Sequence, residues 1–354
     1  MLRISLLSLL IVGLTATVQP GFSANVKITP LGSHDGEFCA LDRAMVFEDP
    51  DGTRILYDAG YTVRGPDDPR LGKIDGVLLS HVHSDHLGPA HSSVANAGDC
   101  AQPKFDIKDA PSSNTEKIVV AKKAKFFVGG EMNSWFGTRI PAAGGTKEQV
   151  VTLRFGATSK LGGISIWSIP AAHSNGISPV FLSGDIAKEM EANGLTAYVG
   201  PPGGYVLRFS NGLTVYLSGD TGVIADQELV VRREFHATSA VLNIGNVFTT
   251  GPAEAAFVIN ELVKPNAVIA SHANEMVTKD GKLLPNTKTA TFRDATKVPV
   301  YLPLSGKVME FDGDGKCQSG KFSRFRLVIN LRECKVLGLA IPRLVPRRPT
   351  RVMN

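Results

Sequence analysis

Short apolar, β-branched runs separated by turn-forming residues recur along most of the 354-residue chain. Val26–Thr29, Ala44–Glu48 and Thr53–Asp58 read as strands, and Asp49-Pro50-Asp51-Gly52 supplies a hairpin turn between the last two. Val77-Leu78-Leu79 is a further run that leads into Ser80, and Ile118-Val119-Val120 and Phe126-Phe127-Val128 are expected to resume the same sheet. The stretch from Ala90 to Lys117 is polar and without periodicity, and is expected to be an insertion over the loop that precedes it. Three later runs, Ile164–His173, Leu213–Asp220 and Ala267–His272, fit buried strands, each closing on a histidine or an acid. Gly251-Pro252 opens the clearest helix. Proline suits its first position, Glu254 complements the positive helix end, and Ala255, Ile259, Leu262 and Val263 mark one apolar face until Lys264-Pro265 ends it. Strands, loops, a helix and strands again describe two layered α/β halves.

The N-terminus follows different rules. Arg3 precedes Ile4–Val18, an almost wholly apolar run, and Gln19-Pro20-Gly21-Phe22-Ser23-Ala24 follows it. About twenty such residues are needed to cross a bilayer, so the pattern is that of a secretory signal cleaved near Ser23 or Ala24, with an uncleaved anchor as the alternative. Residues 1–24 are therefore set apart from the fold, and the protein is expected to be exported, periplasmic or extracellular. An oxidising compartment permits disulfides. Cys39 and Cys100 can pin the polar insertion, and Cys317 and Cys334 lie nearer each other, but spacing alone does not fix the pairing and four free thiols are the alternative.

Composition is that of a globular protein with a sizeable core, with 43% hydrophobic and 20% charged residues. The net charge of +5 needs locating: residues 321–354 carry nine Lys or Arg against Glu333 alone, which leaves residues 1–320 at −3. A body at 25–320 with a basic extension at 321–354 is the expected organisation. The extension reads as a solvated tail or as a peripheral contact with an anionic surface. Pro342, Pro346 and Pro349 argue against one long helix, and no aromatic lies beyond Phe325 to support stacking on nucleic acid. No nucleotide-binding glycine loop and no Gly-x-Ser-x-Gly elbow occurs. The sequence says nothing of oligomeric state.

Chemistry concentrates at Ser80-His81-Val82-His83-Ser84-Asp85-His86-Leu87-Gly88, which packs three of the eight histidines and an aspartate into six positions. Imidazole and carboxylate are the donors that borderline divalent metals prefer. A lone strand-end His173, Asp220 or His272 is more often a hydrogen-bonding residue. Together with the dense loop they make a metal site the better reading.

These residues, as spaced, resemble the metallo-β-lactamase superfamily, whose His-x-His-x-Asp-His, His, Asp, His pattern falls on His81, His83, Asp85, His86, His173, Asp220 and His272. The resemblance extends over about residues 26 to 312 and implies an α/β protein with a four-layer αβ/βα sandwich. It implies that His81, His83 and His173 hold one ion, that Asp85, His86 and His272 hold a second, and that Asp220 bridges them. The pair would be zinc, with manganese or iron as alternatives. Gly203–Phe209, Ser218-Gly219-Asp220-Thr221-Gly222 and Phe248–Ala256 are similar to the branch that includes ascorbate-6-phosphate lactonase. Ala273-Asn274 departs from it, standing where many relatives carry an aromatic residue.

The resemblance thus implies a dinuclear metal-dependent hydrolase of a small-molecule lactone or ester. Metal coordination brings the pKa of water to about 7, so no serine or cysteine nucleophile is required. Asp85 is the natural place for proton transfer. Phosphodiester cleavage is the runner-up, and β-lactam hydrolysis is disfavoured because enzymes of that kind generally lack the acid at Asp220. A metal-binding or surface-interaction protein without catalysis is the alternative from another class. Three further features carry expectations. His34, in Gly32-Ser33-His34-Asp35-Gly36, is a candidate acid or anchor, or else a structural hydrogen-bonder. Trp135 and Phe136 either line a pocket or plug a core. The irregular stretch Ser174–Pro202 is expected to set substrate choice.

Overall fold

The computed structural model describes residues 24–318. The expected signal at 1–24, the extension at 321–354 and Cys334 lie outside the described residues, save for Ala24. Fourteen strands make two seven-stranded sheets. They are β1 (Val26–Pro30), β2 (Met45–Glu48), β3 (Arg54–Tyr57), β4 (Gly76–Leu78), β5 (Lys125–Val128), β6 (Val150–Thr152), β7 (Thr158–Leu161), β8 (Ile164–Pro170), β9 (Gly203–Arg208), β10 (Thr214–Leu217), β11 (Ser239–Asn243), β12 (Ala267–Ser271), β13 (Val300–Tyr301) and β14 (Met309–Phe311). The first sheet runs β14-β1-β2-β3-β4-β5-β6 and the second β13-β12-β11-β10-β9-β8-β7. Each joins an antiparallel half to a parallel one: β3 to β6 are parallel in the first sheet, and β10 to β13 in the second.

Period-two alternation explains why these strands read as continuous apolar runs. Met45, Phe47, Ile55, Tyr57 and Leu78 face inward to meet Tyr205, Leu207, Val215, Leu217, Val241 and Ile269 of the other sheet. The intervening Val46, Leu56, Val77 and Leu79 face outward onto helices, as do Val206, Tyr216, Leu242 and Val268 on the far side. Strands buried on both faces need no polar side. Helices α2 (Asn114–Lys122) and α3 (Gly130–Ala142) cover the first sheet through Ile118, Val119, Met132, Phe136 and Ile140. The second is covered by α5 (Pro252–Phe257), its π-helical continuation Val258–Val263, and α6 (Lys288–Ala295). The result is the four-layer αβ/βα sandwich. One-turn α1 (Ser84–Leu87) and the exposed α4 (Gly184–Ala192) complete the α-helices of the described residues.

One expectation is corrected here and one pair of alternatives is decided. Ile118-Val119-Val120 do not resume the sheet; they lie in α2, where Ile118 and Val119 pack as neighbours on a helical face. Ser113 caps that helix by accepting from the Glu116 amide at 3.1 Å and donates its hydroxyl to the Glu116 carboxylate at 2.8 Å. The Ser-x-x-Glu spacing is a helix-start signal that overrides a three-residue β-branched run. The glycine-rich interval around Trp135 is α3. Phe136 is fully buried against Phe126, and Trp135 is half-buried beneath the Arg139 guanidinium, so both belong to the core.

The segment from Ala90 to Lys117 is tied down despite its polarity. Cys39 and Cys100 form a disulfide, His91 Nδ1 lies 2.6 Å from the Asp109 carboxylate, and Lys117 donates to the other Asp109 oxygen. Closing a loop of this length stabilises by roughly 4 kcal/mol in the chain-entropy account.

A second latch joins the loop after β3 to the C-terminal strands. Arg70 donates to buried Asp68 and also to Gly32 O, Thr62 O and Ser305 Oγ. Burial alone would raise the Asp68 carboxyl, but the Arg70 guanidinium outweighs it and holds the group at about 2. A carboxyl depressed on folding stabilises the protein above its unfolded value near 4, and that contribution drains away as pH falls toward 2. Asp68→Asn should therefore cost about 2 kcal/mol at neutral pH in chemical denaturation and flatten the acid dependence of stability between pH 4 and 2; an unchanged acid limb would show that the latch carries no such linkage.

Candidate metal centre

The candidate donors leave the carboxyl ends of strands from both sheets, where parallel strands open toward one edge. β4 delivers Ser80 and His81, the extended residues 82–83 and α1 carry His83, Asp85 and His86, and β8, β10 and β12 end just before His173, Asp220 and His272. His272 is held at φ +51°, outside the usual range for a residue with a side chain, and this turns its imidazole from the strand direction into the centre. Space for it depends on Gly245, where a Cβ would strike the His272 carbonyl. Gly60, at φ +52°, plays the same part beneath α1, since a Cβ there would meet the Asp85 carbonyl.

Three groups of donors converge: His81, His83 and His173; His81, His86 and Asp220; and Asp85, His86 and His272, with the donor atoms of each within 4.8 Å of one another. The nitrogens face one another with no proton to share among them all. His83 Nδ1 lies 3.0 Å from His81 Nε2 and 3.2 Å from His173 Nε2. Asp220 sits in the middle. Its Oδ2 is 2.9 Å from His272 Nε2 and 3.7 Å from His173 Nε2, and its Oδ1 is 3.4 Å from His86 Nε2. Asp85 Oδ2 closes the far side at 3.2 Å from His272 Nε2.

His86 Nε2, His272 Nε2 and Asp220 Oδ1 are buried yet make no aligned hydrogen bond. Such orphaned groups cost free energy unless something satisfies them. Charge makes the same point. Burial and the neighbouring His86 hold His81 well below the usual imidazole range, and burial lowers His83 and His173 too. All three are thus neutral donors. Burial would raise Asp85 and Asp220, but the surrounding imidazoles, His86 first, hold both well below the usual carboxylate range. His86 goes the other way: burial lowers it, and Asp220, Asp85 and Asp58 together outweigh burial and raise it. Neutral imidazoles, ionised carboxylates and unsatisfied inward-facing atoms fit divalent metal.

The structure also supplies partners that sequence reasoning did not name. Asp58, at φ +43°, lies 2.8 Å from His86 Nδ1 and accepts from the Ser80 hydroxyl at 2.7 Å. Ser80 Oγ is 2.9 Å from His81 Nδ1, so both rings turn Nε2 inward. The strand Thr53–Asp58 ends in an acid as the ligand-bearing strands do, and that was the available signal. Asn175 holds the loop by accepting from the Val82 amide at 2.9 Å. Arg43, its side chain only 3% exposed, donates to Asp85 at 3.2 Å and to the side-chain oxygen Oδ1 of Asn274. No local pattern marks Arg43; its partners come from 42 and 231 positions away.

His34 stands apart. Its ring lies 3.0 Å from Ser33 Oγ and 3.3 Å from Gly98 O, it joins none of the donor groups and it does not line the cleft over them. Its contacts suit the structural alternative, a hydrogen-bonding residue in a turn.

An open cleft of about 730 Å³ lies over the donors, walled by Ser174, Gly176, Ser178 and Thr196 on one side and by Asn246, Phe248, Asn274 and Lys288 on the other. The stretch Ser174–Pro202 thus does border the site.

Comparison with known proteins adds an independent line. The family described as the beta-lactamase superfamily domain matches residues 53–273. A UPF0173 metal-dependent hydrolase of Cupriavidus necator is 26% identical over 277 residues, covering 74% of this chain and 81% of its own. A UPF0173 metal-dependent hydrolase of Pyrobaculum neutrophilum is 29% identical over 239 residues, covering 66% and 80%. Among solved structures, Igni18, a metallo hydrolase from the archaeon Ignicoccus hospitalis, superposes with a TM-score of 0.52 at 21% identity over 81% of this chain and 99% of that one. That likeness bears on the fold.

Removing the Asp58 carboxylate should loosen the centre without dismantling it. Asp58→Asn is expected to weaken metal affinity by roughly 10- to 100-fold in competition with a chromophoric chelator, the usual effect of losing such a partner. Unchanged affinity would mean that Asp58 does not orient His86.

Proposed function

The chain belongs to the metallo-β-lactamase superfamily and is a metal-dependent hydrolase, and from that premise we propose that it works with two divalent ions on a lactone or ester bond of a small molecule. The observation that carries the proposal is the meeting of six donors from both sheets around a seventh, Asp220, whose two oxygens face both sets of imidazoles. His81, His83 and His173 form the first set of ligands in this reading, Asp85, His86 and His272 the second, and Asp220 the bridge. Zinc is the proposed metal, with manganese or iron accepted by the same nitrogen and oxygen donors.

When bound, such ions supply an activated water at neutral pH and polarise the bond under attack. The residues of the chain do the rest. Asp58 and Ser80 fix the tautomers of His86 and His81. Asp85 is steadied by Arg43 and presents an ionised carboxylate at the cleft floor, where it can take up a proton and pass it to the leaving oxygen. Asn246 and Asn274, on the wall, are of the type that fixes a carbonyl or hydroxyl. Lys288 donates to Gly245 O at 2.6 Å and keeps its ammonium in the cleft, and this supports phosphodiester cleavage as the second reading. The position of Asp220 weighs against a β-lactamase.

The remaining parts of the proposal concern context. Export is supported by the apolar run Ile4–Val18 and by the Cys39–Cys100 disulfide. The hydrolase unit is taken as residues 25–320, and the basic extension at 321–354 is read as a solvated tail or as a contact with an anionic surface.

His83→Ala or Asp85→Ala should lower turnover by roughly a hundredfold or more while circular dichroism remains native. Chelation should silence the wild-type protein and added zinc or manganese should restore it. A lactone and ester panel run beside bis-p-nitrophenyl phosphate decides between the two readings. Two bound ions with no turnover on either would instead favour a binding protein.

A further inference from the structure

The cleft over the metal centre has a second arm. A groove of about 610 Å³ adjoins the cleft at Asp85 without reaching Lys288, and Leu41, Ser84 and Asp85 line both spaces. The two arms differ in chemistry. Asn246, Asn274 and Lys288 border the first beside Phe248, whereas Tyr61, Pro89, Phe105 and Val180 border the second, with Lys108 as its one cation. Tyr61 and Phe105 stack with ring centroids 4.6 Å apart and planes inclined by 18°, making an aromatic platform. Ser84 and Asp85 line the same groove as Tyr61, so the platform shares one wall with the metal loop.

The groove is built rather than incidental. Phe105 comes from the polar segment 90–117, which has little core of its own to bury an aromatic ring. That segment is fixed by the Cys39–Cys100 disulfide, by Ser92 Oγ donating to Lys104 O at 2.7 Å, and by the His91–Asp109 pair. Val180, 43% exposed, closes the opposite wall from the 174–202 stretch. Walls held in place before a ligand arrives do not have to be ordered by it, and this favours binding. Apolar surface left open beside a reactive centre marks a place where apolar surface is covered.

We propose that this arm is a subsite for an apolar acyl or aryl group of the substrate, with the bond to be broken at Asp85 and the polar half of the substrate toward Lys288. The proposal deepens the hydrolase reading and rests on it for the placing of the bond. The contacts are those of alkyl or aromatic carbon on the Tyr61–Phe105 platform, and each fully buried methylene strengthens binding about fourfold.

Calorimetric titration of the full metal-loaded chain with acetate and with octanoate tests this without turnover. Wild-type protein should bind octanoate at least about tenfold more tightly than acetate, a modest share of the fully buried limit. Phe105→Ala should bring that ratio below about threefold. Val180→Asp, which changes an exposed wall residue and no core contact, should do the same, with metal content by elemental analysis reporting that the centre is intact. A wild-type ratio near one, or a ratio preserved in both variants, overturns the subsite. Failure of the parent reading looks different: the octanoate preference would persist in a protein that hydrolyses no ester, whereas ester turnover indifferent to chain length keeps the hydrolase and rejects the subsite.

Discussion

Three carboxyl groups, Asp58, Asp85 and Asp220, surround buried His86, and this packing of like charge is the constraint on which the rest of the structure turns. Ionised carboxylates out of water are tolerable only when paired with positive charge. Imidazole protonation answers part of the need, but His81, His83 and His173 are pushed toward neutrality by their own burial and cannot contribute. A divalent cation answers it fully and also satisfies the inward-facing atoms of His86, His272 and Asp220 that find no aligned partner. The same crowding explains the local backbone. Asp58 and His272 sit at positive φ and small residues stand at 60 and 245 because every side chain must turn into one small volume.

The sandwich makes such crowding affordable. Two sheets buried on both faces bring the carboxyl ends of β3 and β4 opposite those of β8, β10 and β12, so the donors are carried on strand termini fixed by core packing on both sides. Loops then differ in stiffness and role. The 90–117 segment is stapled by a disulfide and buried ion pairs, while α4 in the 174–202 stretch buries none of its residues. The wall that carries Phe105 is therefore pre-formed.

Much of this was legible in the chain. Apolar runs buried on both faces announced the strands, and their habit of closing on His173, Asp220 and His272 pointed to the centre because strand ends are where α/β proteins gather ligands. The dense loop at 81–86 was legible for the same reason, histidine being scarce elsewhere. What was hidden is what depends on long-range approach. Arg43 acts through Asp85 and Asn274, neither of them near it in sequence. Asp58 was placed at a strand end but its bond to His86 arises only when β3 and β4 pair. Ile118-Val119-Val120 misled because three β-branched residues suit a strand locally, while the Ser113–Glu116 cap that decides the matter lies outside the run. His34 could be read either way, because a glycine-flanked histidine near a strand end meets its Gly98 contact only once the chain has folded.

The central claim is that Asp220 lies between two cations rather than beside one. Anomalous diffraction from crystals grown with zinc, collected on both sides of the zinc edge, measures this directly. The account predicts two anomalous peaks roughly 3.5–4 Å apart flanking the Asp220 carboxylate. A single peak, or peaks away from His83 and His272, would contradict it.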